Sequence, residues 1–312
     1  MRTVAHDFTV AKSPWGEDDE IGALNHITPE SRAEVMSRVD GSRVFDLSCD
    51  YFVGMPTWSA LGDPAYQIYK THDPDGDVVT NPIGLDDEAN RLTSYTGDAV
   101  SMYTHSGTHI DALNHFGCHG EIYNGYHVHE HMGNRTWDKC GVDTIPPIIA
   151  RGIMLDIPAL KGVEQLPASY GIGRDDLHAA AERQGVTVQT GDVVIIRTGR
   201  FQEWPNAEAF LTDEPGLNLD GAKWLVEQGA MLIGADNVAI EQMPTVETNT
   251  WCPVHMYLFN EAGVPAIEVL NCEELSAEKV YEFAFIGLHL KLRGASASPI
   301  RCIAMPFAET AR

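Results

Sequence analysis

Between Asp192 and Arg197 the chain places four β-branched residues in succession, Val193-Val194-Ile195-Ile196. A run of this kind suits an extended strand and offers no polar side to water, so it demands cover on both faces. The flanking sequence supplies such cover. Residues 175–184 read as a helix capped by Asp175 and closed by Gly185. Residues 220–228 read as a second helix, closed by Gly229 and followed by a strand through Met231-Leu232-Ile233. Upstream, residues 152–157 read as a strand. Downstream, residues 253–262 read as a helix closed by Gly263, leading into the strand Ala266-Ile267-Glu268-Val269-Leu270. Residues 281–293 alternate, with Phe283, Phe285, Leu288, Leu290 and Leu292 as apolar positions, which predicts a long strand. Helices and strands mix throughout, so the fold class is α/β or α+β.

The N-terminal half is less regular. Thr28-Pro29-Glu30 combines a hydroxyl cap, a proline at the first helical position and an acid in the first turn, predicting a helix that ends near Gly41. Residues 43–52 read as a strand. Residues 54–96 carry the turns Met55-Pro56, Gly62-Asp63-Pro64 and Asp73-Pro74-Asp75-Gly76, a long loop of the sort that lines a site. Residues 99–104 read as a short strand leading into a histidine-rich stretch.

Charge narrows the function. Lys and Arg number 21 against 45 Asp and Glu, a net charge of −24. That field repels phosphate backbones and anionic bilayers, so neither nucleic acid nor membrane is an expected partner and a small-molecule substrate is. No apolar run reaches the roughly 20 residues of a membrane span, and the start Met-Arg-Thr-Val-Ala-His-Asp-Phe lacks the pattern of a signal peptide, so a cytoplasmic location is expected. Six scattered cysteines without a CxxC pair predict buried, reduced thiols.

The chemistry concentrates in His105-Ser-Gly-Thr-His109-Ile-Asp111-Ala-Leu-Asn-His115. Imidazole nitrogens and carboxylate oxygens suit Zn²⁺, Mn²⁺ and Fe²⁺. His109 and Asp111 are two apart and share one face of an extended segment. Gly107 permits a bend that brings His105 back toward His109. Thr108 can bond a carboxylate or a ligand imidazole. A helix starting near Asp111 would stack His115 over it, one turn on. Glu268 interrupts an apolar strand, where an unpaired carboxylate would be costly, and His255 lies thirteen residues before it as a companion. Asp236 reads as a helix or turn cap. His119, His127, His129 and His131 read as loop or pocket-wall residues.

The pattern His-x-Gly-Thr-His-x-Asp-x-x-x-His resembles the signature of the cyclase-like metal hydrolases, the group that contains bacterial kynurenine formamidase and isatin hydrolase. Trp15-Gly16-x-Asp18-Asp19, Gly22-Ala23-Leu24-Asn25, Met55-Pro56, Gly191-Asp192-Val193 and His255…Ile267-Glu268 extend the resemblance over most of the chain. The resemblance implies a swivelling β/β/α fold with a central barrel-like mixed sheet flanked by helices. It implies a single domain over 1–312, with an N-terminal extension of about 1–42 and pocket-covering insertions at about 70–95 and 117–145. His105, His109 and Asp111 would bind one metal; Asp111 and Glu268 would bridge to a second held by His255. His115 would be the general acid/base and Trp58 a substrate contact. One or two Zn or Mn ions per chain and a homodimer or homotetramer are implied as well.

The expected activity is hydrolysis of an amide, imide or lactone bond of a small cyclic or aromatic metabolite, the work of an amidohydrolase or a lactonase. Two rivals fit fewer of the residues. A mononuclear Fe(II) oxygenase would use His109-x-Asp111 and a distant histidine, leaving His105 and His115 unexplained. A metal-dependent cyclase or binding protein would keep the site without hydrolytic turnover.

Overall fold

The computed structural model describes residues 6–246 and 250–308, so most of the N-terminal stretch read for a targeting signal lies outside it. Eight strands form one sheet: β1 (Phe45–Asp46), β2 (His109–Asp111), β3 (Ile148–Asp156), β4 (Asp192–Arg197), β5 (Ala230–Ala235), β6 (Ala266–Glu268), β7 (Glu282–His289) and β8 (Ala297–Pro306). β3, β4, β5 and β6 are parallel neighbours in that order. β6 then pairs antiparallel with β2, β2 with the start of β8, β8 with β7, and β7 with β3. The circuit closes into a mixed barrel, and β1 adds a short strand along the far part of β8. This is the α/β architecture with a barrel-like mixed sheet that the resemblance implied.

All six residues of β4 are buried, as the Val-Val-Ile-Ile run required. Parallel neighbours satisfy both of its edges, and helices cover the outside. α1 (Pro29–Ser37), α2 (Arg174–Gln184) and α3 (Leu219–Glu227) are the longest of them. α2 buries Leu177, Ala180 and Ala181, spaced three and four apart, and ends where Gly185 turns left-handed. α3 approaches so closely that a Cβ on Gly221 would stand 2.4 Å from the carbonyl oxygen of Ile172.

Several boundaries differ from expectation. α1 keeps its cap, with Thr28 and Ser31 exchanging side-chain and backbone bonds, but stops at Ser37 rather than near Gly41. α2 is entered through Gly173 rather than capped by Asp175, and the carboxylate of Asp220 accepts the Arg174 N–H instead. The strand expected over 43–52 is limited to Phe45–Asp46; Leu47 still gives its N–H to the Cys302 carbonyl of β8, but the Cys49 N–H turns away from the sheet to Thr108. The strand before the histidines is Gly97–Ser101, and it pairs with Gln67–His72 in a hairpin outside the barrel. The helix expected over 253–262 is one α-turn, Pro253–Met256, widening into a π-helix, Tyr257–Ala262. The last strand of that reading ends at His289, short of Arg293.

All six cysteines are free and buried. Among the described residues no helix is long and apolar enough to cross a membrane.

Candidate metal centre

β2 and β6 put the key side chains together. In their antiparallel ladder Glu268 pairs with His109 and Ala266 with Asp111, so strand alternation turns His109, Asp111 and Glu268 to one side. The Nδ1 of His109 lies 2.8 Å from the carbonyl oxygen of Gly107. A carbonyl only accepts, which assigns the proton to Nδ1 and leaves a lone pair on Nε2. Nε2 stands 3.2 Å from Oε2 of Glu268 and 3.4 Å from Oδ1 of Asp111. It makes no hydrogen bond, although it is fully buried. A lone pair facing two carboxylate oxygens is repulsive unless positive charge lies among them.

Asp111 presents the same problem. Both of its oxygens are buried and unpartnered, and Nδ1 of His105 comes within 2.7 Å of Oδ1 without hydrogen-bond geometry. The other ring nitrogen of His105 meets Ser296 Oγ at 2.9 Å. Burial would raise the Asp111 carboxyl, but the rings of His105, His115 and His109 hold it well below the usual carboxylate range. Burial pulls His109 toward neutrality, yet Asp111 and Glu268 outweigh it and push its pKa up to about 9, so these carboxylates draw a positive charge to Nε2, either a second proton or a cation that replaces it. Orphaned buried nitrogen and oxygen atoms converging in this way fit a divalent cation.

His255, in the turn Pro253–Met256, sets its Nε2 3.2 Å from Oε1 of Glu268. Glu268 thus directs one oxygen to His109 and the other to His255. The Nδ1 of His255 is 2.6 Å from Oε1 of Glu241, which also accepts the backbone N–H of His255. Burial opposes a charged His255, but the Glu241 and Glu268 carboxylates push its pKa up to about 10. Among the described residues, potential ligand atoms gather in three groups, each within 4.8 Å: His105, Asp111 and His115; His109, Asp111 and Glu268; Glu241, Cys252 and His255. Sequence reasoning missed Glu241 and Cys252. The only signal for Glu241 was an acid directly after Ala239-Ile240, and nothing local tied it to His255.

The loop before β2 is held from three sides. Thr108 Oγ1 donates to the carbonyl of Val269 at 2.7 Å and accepts the Cys49 N–H at 2.8 Å. Tyr51 donates its hydroxyl to the Thr108 carbonyl at 2.5 Å. Thr108 therefore anchors backbone rather than a ligand side chain, contrary to expectation. Gly107 has φ +60°, and a Cβ there would meet the Tyr51 ring at 2.7 Å, so the bend read from the sequence is required twice over. His115 follows a tight turn, its N–H on the Ala112 carbonyl, rather than the helix expected after Asp111. The turn still lays its ring on His105, with centroids 3.9 Å apart, and sets Nε2 3.8 Å from Oδ2 of Asp111. Burial and the neighbouring His105 keep the pKa of His115 well below its ordinary value.

These groups open into a cleft of about 350 Å³ walled by Trp58, Tyr103, Phe116 and Trp251. Trp58 and Trp251 lie 5.8 Å apart and 31° from parallel, and Phe116 packs against both Trp251 and His255. Trp58 is where the resemblance placed an aromatic; Trp251 and Phe116 were not anticipated.

The remaining candidates lie elsewhere. Asp236 ties down the end of β4, accepting from Thr198 N, Thr198 Oγ1 and Gly199 N. His119 reaches the Phe8 carbonyl, while His127 and His131 face Glu121 and Asp138. None of these histidines, nor His129, lines the cleft. Segment 117–145 gives the cleft only Gly117 and packs on the N-terminal segment, where Asn124 bonds to Ser13, Gly16 and Asp19. Segment 70–95 contributes no lining residue.

Comparison with known proteins agrees with this picture. A family model described as "Putative cyclase" matches residues 45–242. Cyclase-like protein 3 of Oryza sativa subsp. japonica is 26% identical over 268 residues, covering 84% of this chain and 80% of that protein. The crystal structure of a novel cyclase superposes with a TM-score of 0.82 at 28% identity, over 93% of this chain and 95% of that one. Isatin hydrolase A from Ralstonia solanacearum shares the fold, with a TM-score of 0.64 at 21% identity, over 89% and 98% of the two chains. With the match spanning well over half of the chain and the whole His105–His115 stretch, the chain belongs to the Cyclase family.

Proposed function

We propose that this protein is a metal-dependent hydrolase that opens an amide, imide or lactone bond of a small cyclic or aromatic metabolite. The observation that carries the reading is His109, whose Nδ1 is committed to Gly107 while its Nε2, with no hydrogen-bond partner, faces the carboxylates of Asp111 and Glu268. In this reading His105, His109 and Asp111 would hold one Zn or Mn ion, and Asp111, Glu268 and His255 would hold a second where two are bound. A divalent cation there supplies Lewis acidity to a carbonyl and lowers the pKa of a coordinated water from about 15.7 to about 7.

The chain's own residues do the rest. His115 projects from its turn over Asp111 with its side chain partly open to the cleft, so its Nε2 can take a proton from water and return it to the leaving nitrogen or oxygen. Trp58, Trp251 and Phe116 hold a flat ring and exclude bulk water. The isatin hydrolase likeness supports cleavage of a cyclic amide, and the four histidines crowd out the open facial triad that an oxygenase needs.

The hairpin Gln67–His72 with Gly97–Ser101 leaves Ile68, Tyr69 and Val100 exposed, and a two-stranded ribbon is marginal alone, which supports self-association. The deciding experiment is plasma mass spectrometry of protein purified without chelator, wild type and Asp111→Ala, followed by a screen of cyclic amides, imides and lactones. One or two equivalents of Zn or Mn, lost in the variant, with turnover of a panel member, is the expected result. Wild type that takes up no metal after reconstitution overturns it.

A further inference from the structure

The cleft contains one carboxylate that the centre does not use. Glu214 follows the helix Ala207–Leu211, is 4% exposed and lines the cleft together with His105, His115, His255 and Glu268. It belongs to none of the three groups of potential ligands. Its Oε2 accepts two backbone N–H groups, from Val238 at 2.7 Å and Ala239 at 3.2 Å. Its Oε1 has no hydrogen-bond partner among the described residues, yet it is absent from the sealed, unpartnered atoms, so it keeps an open side. The side chain is fixed at one oxygen and presents the other.

Structure alone does not call for an acid here. A glutamine carbonyl would hold the two N–H groups as well, without the cost of burying a carboxylate. That cost is visible: burial, with the Glu268 carboxylate adding to it, pushes the Glu214 pKa up to about 7. A ligand N–H would satisfy Oε1 and offset the cost, whereas a ligand carboxylate would meet repulsion.

We propose that Glu214 is a specificity-determining residue of the cleft: its Oε1 accepts a hydrogen bond from an N–H or amino group on the ring of the substrate and rejects rings carrying a carboxylate at that place. The assignment rests on the hydrolytic reading of the cleft and adds the chemical class of ring that enters it.

The test uses binding, read by quenching of the cleft tryptophans, on metal-loaded wild type, Glu214→Gln and Glu214→Leu. The probes are benzamide, the three aminobenzamides and the three carbamoylbenzoates. Above the pKa of about 7, where Glu214 is ionised, at least one aminobenzamide should bind wild type about tenfold or more tighter than benzamide, the worth of a hydrogen bond to a buried charged group. The carbamoylbenzoates should bind more weakly than benzamide. Glu214→Leu should erase the amino preference. Glu214→Gln keeps a carbonyl for Val238 and Ala239 and turns an NH₂ toward the cleft, so its preference should invert toward the carboxylate-bearing probes; a merely structural glutamate would not do this. If no amino-bearing isomer outbinds benzamide on wild type, the proposal fails even if neither variant folds. Metal content and turnover on the same samples separate the two readings. Discrimination without turnover removes the hydrolytic reading alone, and turnover without discrimination removes only the role of Glu214.

Discussion

Glu268 sits directly across the β2–β6 ladder from His109 and holds its two oxygens 3.2 Å from two histidines, Oε2 from His109 and Oε1 from His255. One carboxylate thus links the strand-borne and helix-borne halves of the centre. Glu268→Gln preserves shape and removes the charge, so metal content should fall by at least one equivalent while the far-ultraviolet circular dichroism is retained. Unchanged metal content would show that Glu268 is not a ligand.

Glu241 acts on His255 from behind. Glu241→Gln removes the charge facing Nδ1 and keeps only one of the two acceptor oxygens that take the backbone N–H groups of Val254 and His255. A change at this distance from the cation typically costs roughly 10- to 100-fold in metal affinity. Competition with a fluorescent chelator should read that loss; equal affinities would demote Glu241 to packing.

Thr108 is a mechanical joint. Thr108→Val is nearly isosteric and strands both the Cys49 N–H and the Val269 carbonyl inside the protein. The expected loss is about 1–3 kcal/mol for each stranded group, at most. It should appear as a lowered urea midpoint in apo and metal-loaded protein alike. A loss confined to the loaded form would mean that Thr108 serves the metal instead.

Asp236 gives a pH signature away from the cleft. Burial pushes its carboxyl up to about 6 from 3.8, against the hydrogen bonds from Thr198 and Gly199. With the folded pKa above the unfolded one, the contribution is fully present below pH 3.8 and is lost as pH rises through about 6. The difference in urea midpoint, wild type minus Asp236→Asn, should therefore be larger at pH 4.5 than at pH 7.5. It corresponds to about 3 kcal/mol over the whole window. A difference that grows with pH would mean that the hydrogen bonds prevail over burial.

The legible parts were those that obey short-range rules. Val193–Ile196 announced a strand covered on both faces, Gly185 and Gly263 marked helix ends, and His109-x-Asp111 carried its shared face in its spacing. Glu268 showed itself as a charge within an apolar strand. What stayed hidden depends on distant pairing. Cys49 leaves the sheet because Thr108, 59 residues on, takes its N–H. Glu241, Phe116 and Trp251 join the site only once the chain folds back around His255. The turn at Ala112–His115 replaced a helix because β2 ends against β8 there, with the Ala112 N–H on the Ser296 carbonyl.

β2 is three residues long and hydrogen-bonded along both edges, to β6 on one side and β8 on the other. It is the slat that completes the barrel wall, and two of its three residues are His109 and Asp111. A chain whose wall is still open there has no place where these two side chains converge with Glu268. Ion capture therefore doubles as a census of finished molecules: the fraction of a preparation that holds its metal against a mild chelator counts the barrels that have shut.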